Sequence, residues 1–191
     1  MKNYTLLFLA LLSCSSTDAQ KTDHRLNTKT TESFQFAKKN KMDTTICILI
    51  DMKAPSGKYR LLVYDFQKDS ILLEGLCAHG SGTTESVNDL PIFSNAENSH
   101  CTSLGKYKIG SRGYSSWGIH INYKLHGLES TNNNAFKRTV VLHSWEGISD
   151  TEIYPQRLAQ SWGCPTVSNS IMEELDALLK NRSSVLMWIY F

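Results

Sequence analysis

Apolar positions along this chain fall mostly into short runs of continuous or alternating character, the pattern of strands, and only one stretch repeats at helical spacing. Ile46 to Ile50 is continuously apolar, and Tyr59 to Phe66 is apolar on both faces. Ala54-Pro55-Ser56-Gly57 lies between them with strong turn chemistry, so the pair predicts a β-hairpin. Ile71 to Ala78 continues as a third strand, and His79-Gly80-Ser81-Gly82 begins a long polar loop to Leu90. Lys106 to Ile109 gives a short strand. Trp117, Ile119, Ile121, Tyr123 and Leu125 alternate with Gly118, His120, Asn122 and Lys124, which predicts a half-buried strand with His120 on its polar face. Thr139 to Leu142 reads as a buried strand that ends by delivering His143 at an edge, and Val185 to Tyr190 as the last strand. The helix follows Ser170, which with Glu173 forms a capping box. Its stripe Ile171, Met172, Leu175, Leu178 and Leu179 faces inward, and Asn181 is a left-handed stop. The pattern predicts a mainly β fold, a β-sandwich or partly closed barrel with one C-terminal helix before the last strand.

The N-terminal stretch is different. Lys2 precedes an apolar run from Thr5 to Leu12, too short to span a bilayer but suited to an export signal. Leu11-Leu12-Ser13-Cys14 looks like a bacterial lipobox, with Cys14 directly after the run and lipidated after cleavage at Ser13. Thr17-Asp18-Ala19 offers a rival cleavage site before Gln20. Ser15 to Thr31 is polar without apolar periodicity and predicts a flexible tether, and Thr31 to Lys41 a short surface helix. The expected division is a signal at 1–13, a tether at 14–31 and one domain at 32–191, long enough for a single proper core. The formal charge of +2 falls to +1 once a signal holding one basic and no acidic residue is removed. Nothing in that balance points to nucleic acid.

Chemistry concentrates between Val140 and Val167. Cys164 sits in Ser161-Trp162-Gly163-Cys164-Pro165, where Gly163 permits a bend and Pro165 fixes the chain beyond it. A thiolate is the competent nucleophile, and an adjacent imidazolium favours it, so Cys164 with His143 makes a sensible acyl-transfer dyad. The sequence has neither paired histidines on one helical turn with a carboxylate nor a Cys-x-x-Cys pair, the spacings a zinc site would want. No metal or other cofactor is expected. Of the five cysteines, Cys47, Cys77 and Cys101 remain once Cys14 and Cys164 are set aside, and no pairing among them is assigned.

Five segments in fixed order, Phe93 to Asn95, Thr102 to Gly110, Gly127 to Ala135, Arg138 to Trp145 and Gln156 to Pro165, resemble the murein L,D-transpeptidase (YkuD-like) family. The branch is the one whose nucleophile motif reads Ser-x-Gly-Cys-Pro. The resemblance implies a mainly β catalytic domain with a cleft over the cysteine motif, in the bacterial cell envelope. Cys164 would attack the L-centre carbonyl of a peptidoglycan stem peptide, expel D-alanine and pass the acyl group to an amine. His143 would be the base, oriented by the Ser144 carbonyl, and the N–H groups of Gly163 and Cys164 would form an oxyanion hole. Ser161, Trp162 and Arg157 fall in or beside the substrate site by motif match, and Ser103 and Gly105 on its far wall. Carbapenems are expected to acylate the same sulfur, and membrane contact to be only through a lipid anchor. One departure limits the transfer: Pro165-Thr166-Val167-Ser168 follows the cysteine where the better-known branch has an arginine.

Three other readings stay open on sequence alone. A carboxypeptidase or endopeptidase of the same fold would let water resolve the thioester. A non-catalytic lipoprotein would hold peptidoglycan without turnover, and the presence of both Cys164 and His143 speaks against it. A sortase also pairs Cys with His in a β-barrel, but the residues after Cys164 offer no arginine before Arg182.

Overall fold

The computed structural model describes residues 15–82 and 90–191. In chain order these form α1 (Ser15–Lys39), β1 (Ile46–Asp51), β2 (Leu61–Asp65), β3 (Ser70–Gly75), β4 (Gly105–Tyr114), β5 (Ile121–Gly127), β6 (Val141–Ser144), β7 (Thr166–Val167), α2 (Asn169–Leu179) and β8 (Leu186–Tyr190). The export signal and Cys14 lie outside the described residues.

All eight strands join one sheet in the order β3-β2-β1-β8-β4-β5-β6-β7. The predicted hairpin is present as β1 against β2, with Ile48 opposite Val63. The first and last long strands, β1 and β8, run parallel in the middle of the sheet. The two ends of the sheet are brought together by the chain that leaves β3: Ala78 bridges to Thr166 of β7, and Gly80 to Ser161. The result is the nearly closed barrel of the two predicted alternatives, not a sandwich.

Why β1 reads as an unbroken apolar run is now evident: both of its faces are covered. Ile46, Ile48 and Ile50 point into the barrel, where Val63, Tyr107, Leu125, Leu142 and Met187 meet the α2 stripe of Ile171, Met172, Leu175 and Leu179. Cys47 and Leu49 point outward into a second cluster with Tyr64, Leu186, Trp188 and Tyr190.

That outer cluster is roofed by α1, and here the sequence expectation is corrected. Residues 15–31, read as a tether, are helical, and the helix runs on to Lys39. The helix lacks a broad apolar stripe because it docks with few apolar groups and with the stems of basic ones. Leu26 and Phe36 pack on the outer cluster, Ala37 is fully buried, Arg25 pairs with Asp51 at 2.9 Å, and Lys29 Nζ stands 4.0 Å above the Trp188 ring.

Other boundaries shift as well. The Trp117-to-Leu125 alternation is a strand only from Ile121; Trp117 to His120 form the tip of the β4–β5 hairpin, and His120 has φ +61°. β6 begins at Val141 because Thr139, at φ +59°, is a turn residue, so His143 lies within the strand and not at its end. The α2 cap is Ser168, whose side chain accepts from Ile171 N–H, and not Ser170. The left-handed residue before β8 is Ser184, not Asn181.

Candidate active site

Four backbone and side-chain bonds fix the turn that carries Cys164. Ser161 Oγ donates to the Cys164 carbonyl at 2.6 Å and accepts from Gly163 N–H at 3.2 Å, closing the turn on itself. Ser161 N–H donates to the His79 carbonyl and Ser81 N–H to the Ser161 carbonyl, each at 2.8 Å, which ties the turn to the loop after β3. Gly163 has φ +106°, and a Cβ there would stand 2.7 Å from the Cys101 carbonyl oxygen, so both conformation and space require glycine. The Cys101 carbonyl is itself held by Arg138 Nη2 at 2.6 Å.

His143 is positioned by sheet pairing: it lies opposite Thr166 in the parallel β6–β7 register. Its Nδ1 is 3.0 Å from the Ser144 carbonyl. A carbonyl can only accept, so Nδ1 carries the proton and Nε2 presents a lone pair. At rest that lone pair faces Thr166 Oγ1 at 3.1 Å, whose one proton is shared with the Cys164 carbonyl at 3.3 Å. Ser144 does a second job with its hydroxyl, which accepts from Ile119 N–H at 3.1 Å and pins the β4–β5 hairpin tip beside the histidine.

Cys164 and His143 open into the same cavity of about 470 Å³, whose walls include Trp117, Trp145, Gln160, Trp162 and Thr166. On its other side Cys164 borders a second, polar hollow of about 420 Å³ with Glu97, His100 and Arg138. Burial pushes the Cys164 thiol up, against the opposing pulls of the Val141 N–H, Arg138 and Lys124. Burial likewise pushes the His143 imidazole down, opposed by its bond to Ser144. The two groups therefore rest as neutral thiol and neutral imidazole, where the sequence alone suggests an imidazolium-assisted thiolate.

The remaining predicted site residues divide. Ser161 and Trp162 line the cavity, with Trp162 highly exposed and stacked on His100 at 5.2 Å. Gly163 N–H is taken by Ser161 Oγ, which corrects its expected part in an oxyanion hole. Arg157 is exposed and borders neither hollow. Ser103 is buried against the Tyr107 hydroxyl at 2.8 Å. Gly105, at φ +133°, packs on Glu129 and Asn132, so both belong to the support behind the site and not to its wall.

Thr166, Gln160, Trp117 and Trp145 were not singled out from the sequence. Gln160 and Trp145 lie inside segments that carry the family resemblance, which was the available signal. Thr166 meets His143 only through strand pairing. The four described cysteines are all free thiols, and burial raises Cys47 to about 12 and Cys77 to about 11. No group of side chains with metal-binding geometry occurs among the described residues, and no described helix is long and apolar enough to cross a membrane.

A mainly β, nearly closed barrel with a cysteine and a histidine at one cavity limits the class of protein, and comparison narrows it further. Residues 18–189 match the family model described as the L,D-transpeptidase catalytic domain, and the chain belongs to that family. No curated protein is detectably similar in sequence. Among solved structures, the helical cell shape determining protein Pgp2 from Campylobacter jejuni superposes with a TM-score of 0.51 at 13% identity, over 76% of this chain and 47% of that one. An Enterococcus faecium L,D-transpeptidase, solved as a cysteine-to-serine mutant, gives 0.49 at 10% identity, over 76% and 50%. One from Xylanimonas cellulosilytica gives 0.42 at 14%, over 82% and 68%. The chain thus spans about half the length of the first of these relatives.

Proposed function

We propose that this chain is a peptidoglycan-modifying cysteine acyl transferase of the L,D-transpeptidase type, acting outside the cytoplasm. The observation that carries the reading is the shared cavity of Cys164 and His143, with the imidazole tautomer fixed by the Ser144 carbonyl so that Nε2 is the basic nitrogen. In the first half-reaction Cys164 Sγ bonds to the L-centre carbonyl carbon of a stem tetrapeptide while its proton passes to His143 Nε2. The Thr166 hydroxyl, which occupies that lone pair at rest, gives it up. The Cys164 N–H is the donor left to the oxyanion, a kind of contact worth a few kcal/mol in the transition state. As the carbon–nitrogen bond breaks, His143 returns the proton to the departing D-alanine nitrogen, leaving a thioester. An amine of a second stem then attacks, the amide forms, and its proton passes through His143 to the leaving sulfur.

The test uses the full chain with a stem tetrapeptide. Free D-alanine should appear, and acid quench should leave a tripeptide acyl group on Cys164, with a carbapenem marking the same sulfur. Added stem amine should discharge the thioester into a crosslinked dimer; discharge by water at the same rate with and without amine would identify a carboxypeptidase. A Cys164 that stays unmodified by both reagents, in a chain that still binds peptidoglycan, would leave a non-catalytic binding protein as the better account. The anchor on Cys14 belongs to the same proposal, motivated by its place after the apolar run. The intact mass of membrane-extracted protein should carry a lipid increment, and a soluble form starting at Gln20 would exclude it.

A further inference from the structure

Behind the cavity lies a polar chain, buried at Arg60 and His79 and exposed at Gln160, that the proposed chemistry does not use. Arg60, 2% exposed, points inward from the connection between β1 and β2, and its Nε donates to the Cys77 carbonyl at 2.7 Å. Its Nη2 lies 2.9 Å from Nδ1 of His79, a residue that is 3% exposed. The other ring nitrogen, His79 Nε2, lies 3.4 Å from Nε2 of the Gln160 amide, and Gln160 lines the cavity beside Cys164.

The order of donors along this chain leaves one solution. A guanidinium has five N–H donors and no acceptor, so His79 Nδ1 must be the acceptor and must be unprotonated. A neutral imidazole then carries its proton on Nε2, which is therefore a donor toward Gln160. Burial and the neighbouring Arg60 charge hold His79 neutral, down to a pKa of about 4. A donor must face an acceptor, so the two amide atoms are assigned in exchanged places, with Oε1 and not Nε2 toward His79. Amide oxygen and nitrogen are told apart only by such networks. The amide nitrogen, with two N–H donors, is then turned away from His79 and into the cavity.

We infer that Gln160 is a specificity-determining residue, whose amide N–H groups, aimed by the Arg60–His79 pair, donate to an acceptor oxygen of the acyl-donor peptide. This rests on the function proposed above. The acceptor is either a backbone carbonyl of the stem or its terminal carboxylate, both of which present lone pairs and no proton. Gln160 touches neither the sulfur nor the base, so its contribution falls on binding. The same arrangement explains why a buried, uncharged histidine follows β3 in a loop whose backbone also braces Ser161.

Two substitutions separate this from a structural role. Gln160→Met keeps the length and removes the donors; Gln160→Glu keeps an oxygen for His79 Nε2–H but turns an acceptor toward the cavity. With the full chain and a stem tetrapeptide, Gln160→Met should raise KM about tenfold, the equivalent of one lost hydrogen bond to the ligand, with kcat little changed. Gln160→Glu should raise it further. If the acceptor is the terminal carboxylate, the Gln160→Glu penalty should shrink on a C-terminally amidated tetrapeptide; if it is a backbone carbonyl, the penalty should be equal on both. Nitrogen-15 NMR of the histidine rings at neutral pH should find His79 protonated on Nε2 and bare on Nδ1. A His79 protonated on Nδ1, or a Gln160→Met chain whose KM stays within about twofold of wild type, would overturn the inference. A wild-type chain that releases no D-alanine would instead sink the proposed function, and the NMR tautomer would still decide how the Gln160 amide is turned.

Discussion

The same burial that raises the Cys164 thiol lowers the His143 imidazole, and a neutral pair has a different pH dependence from an ion pair. In a neutral pair the only ionisation that must occur before reaction is loss of any proton on His143 Nε2. The acylation rate of Cys164 by a carbapenem should therefore be low in acid, where the imidazole is charged, and rise to half its maximum below the ordinary imidazole value of 6.5. It should then stay level toward the ordinary thiol value of 9.0, because the buried thiol does not begin to ionise on its own there. Stopped-flow acylation across that range checks this, and a rate that keeps climbing toward pH 9 would mean that free thiolate is the reacting species. Cys164, His143 and Gly163 were legible as residues because a Gly/Pro-bounded cysteine and a histidine on a β-branched run are local features. Their neutral resting state was not, because it comes from burial in a cavity whose walls include Trp117, which reaches the site from the distant β4–β5 hairpin tip.

Elements were legible where one face is core and the other solvent, and less so where the packing partner is far along the chain. β4 extends beyond Ile109 through Gly110-Ser111-Arg112-Gly113 with no apolar period, because its far half is an exposed hairpin arm paired only to β5. α1 is the larger case. The polar sequence of residues 15–31 reads as tether and only Thr31 to Lys41 as a short helix, yet residues from Arg25 onward lie on the sheet face of Leu49, Trp188 and Tyr190, which Met42, Phe66 and Lys106 cover further. If that cover matters, deleting residues 15–39 should lower the unfolding free energy by roughly 3 kcal/mol or more, the scale of uncovering Leu26, Phe36 and the rings beneath them, and should expose surface that binds hydrophobic dyes. A segment that only tethers could be removed without effect, so an unchanged urea midpoint would show that the helix contributes nothing as cover.

At the scale of the molecule, closure of the barrel depends on the loop after β3, which joins the free edge of the sheet to β7 and to the cysteine turn. His79 stands at that joint, with the Arg60 guanidinium on one side and Gln160 on the other. Burial disfavours its charged form, and protonation would also set it against the Arg60 cation, which together hold its pKa down to about 4 against the ordinary 6.5. The unfolded chain therefore binds this proton first, and stability is lost as pH falls. The contribution should be intact above about 6.5, decline through the interval, and be gone below about 4, a change on the order of 3 kcal/mol. His143, shifted the same way, adds to it. Acidic groups held low, such as Asp43 and Asp176, act mainly below their ordinary 3.8 and leave this window to the histidines. Urea unfolding at steps between about pH 7 and pH 4.5 should show the midpoint falling in wild type, with a shallower fall in His79→Asn, whose side chain cannot take the proton. Should His79 titrate near 6.5 in the folded protein, or the two slopes coincide, the joint would not be what makes the barrel acid-sensitive.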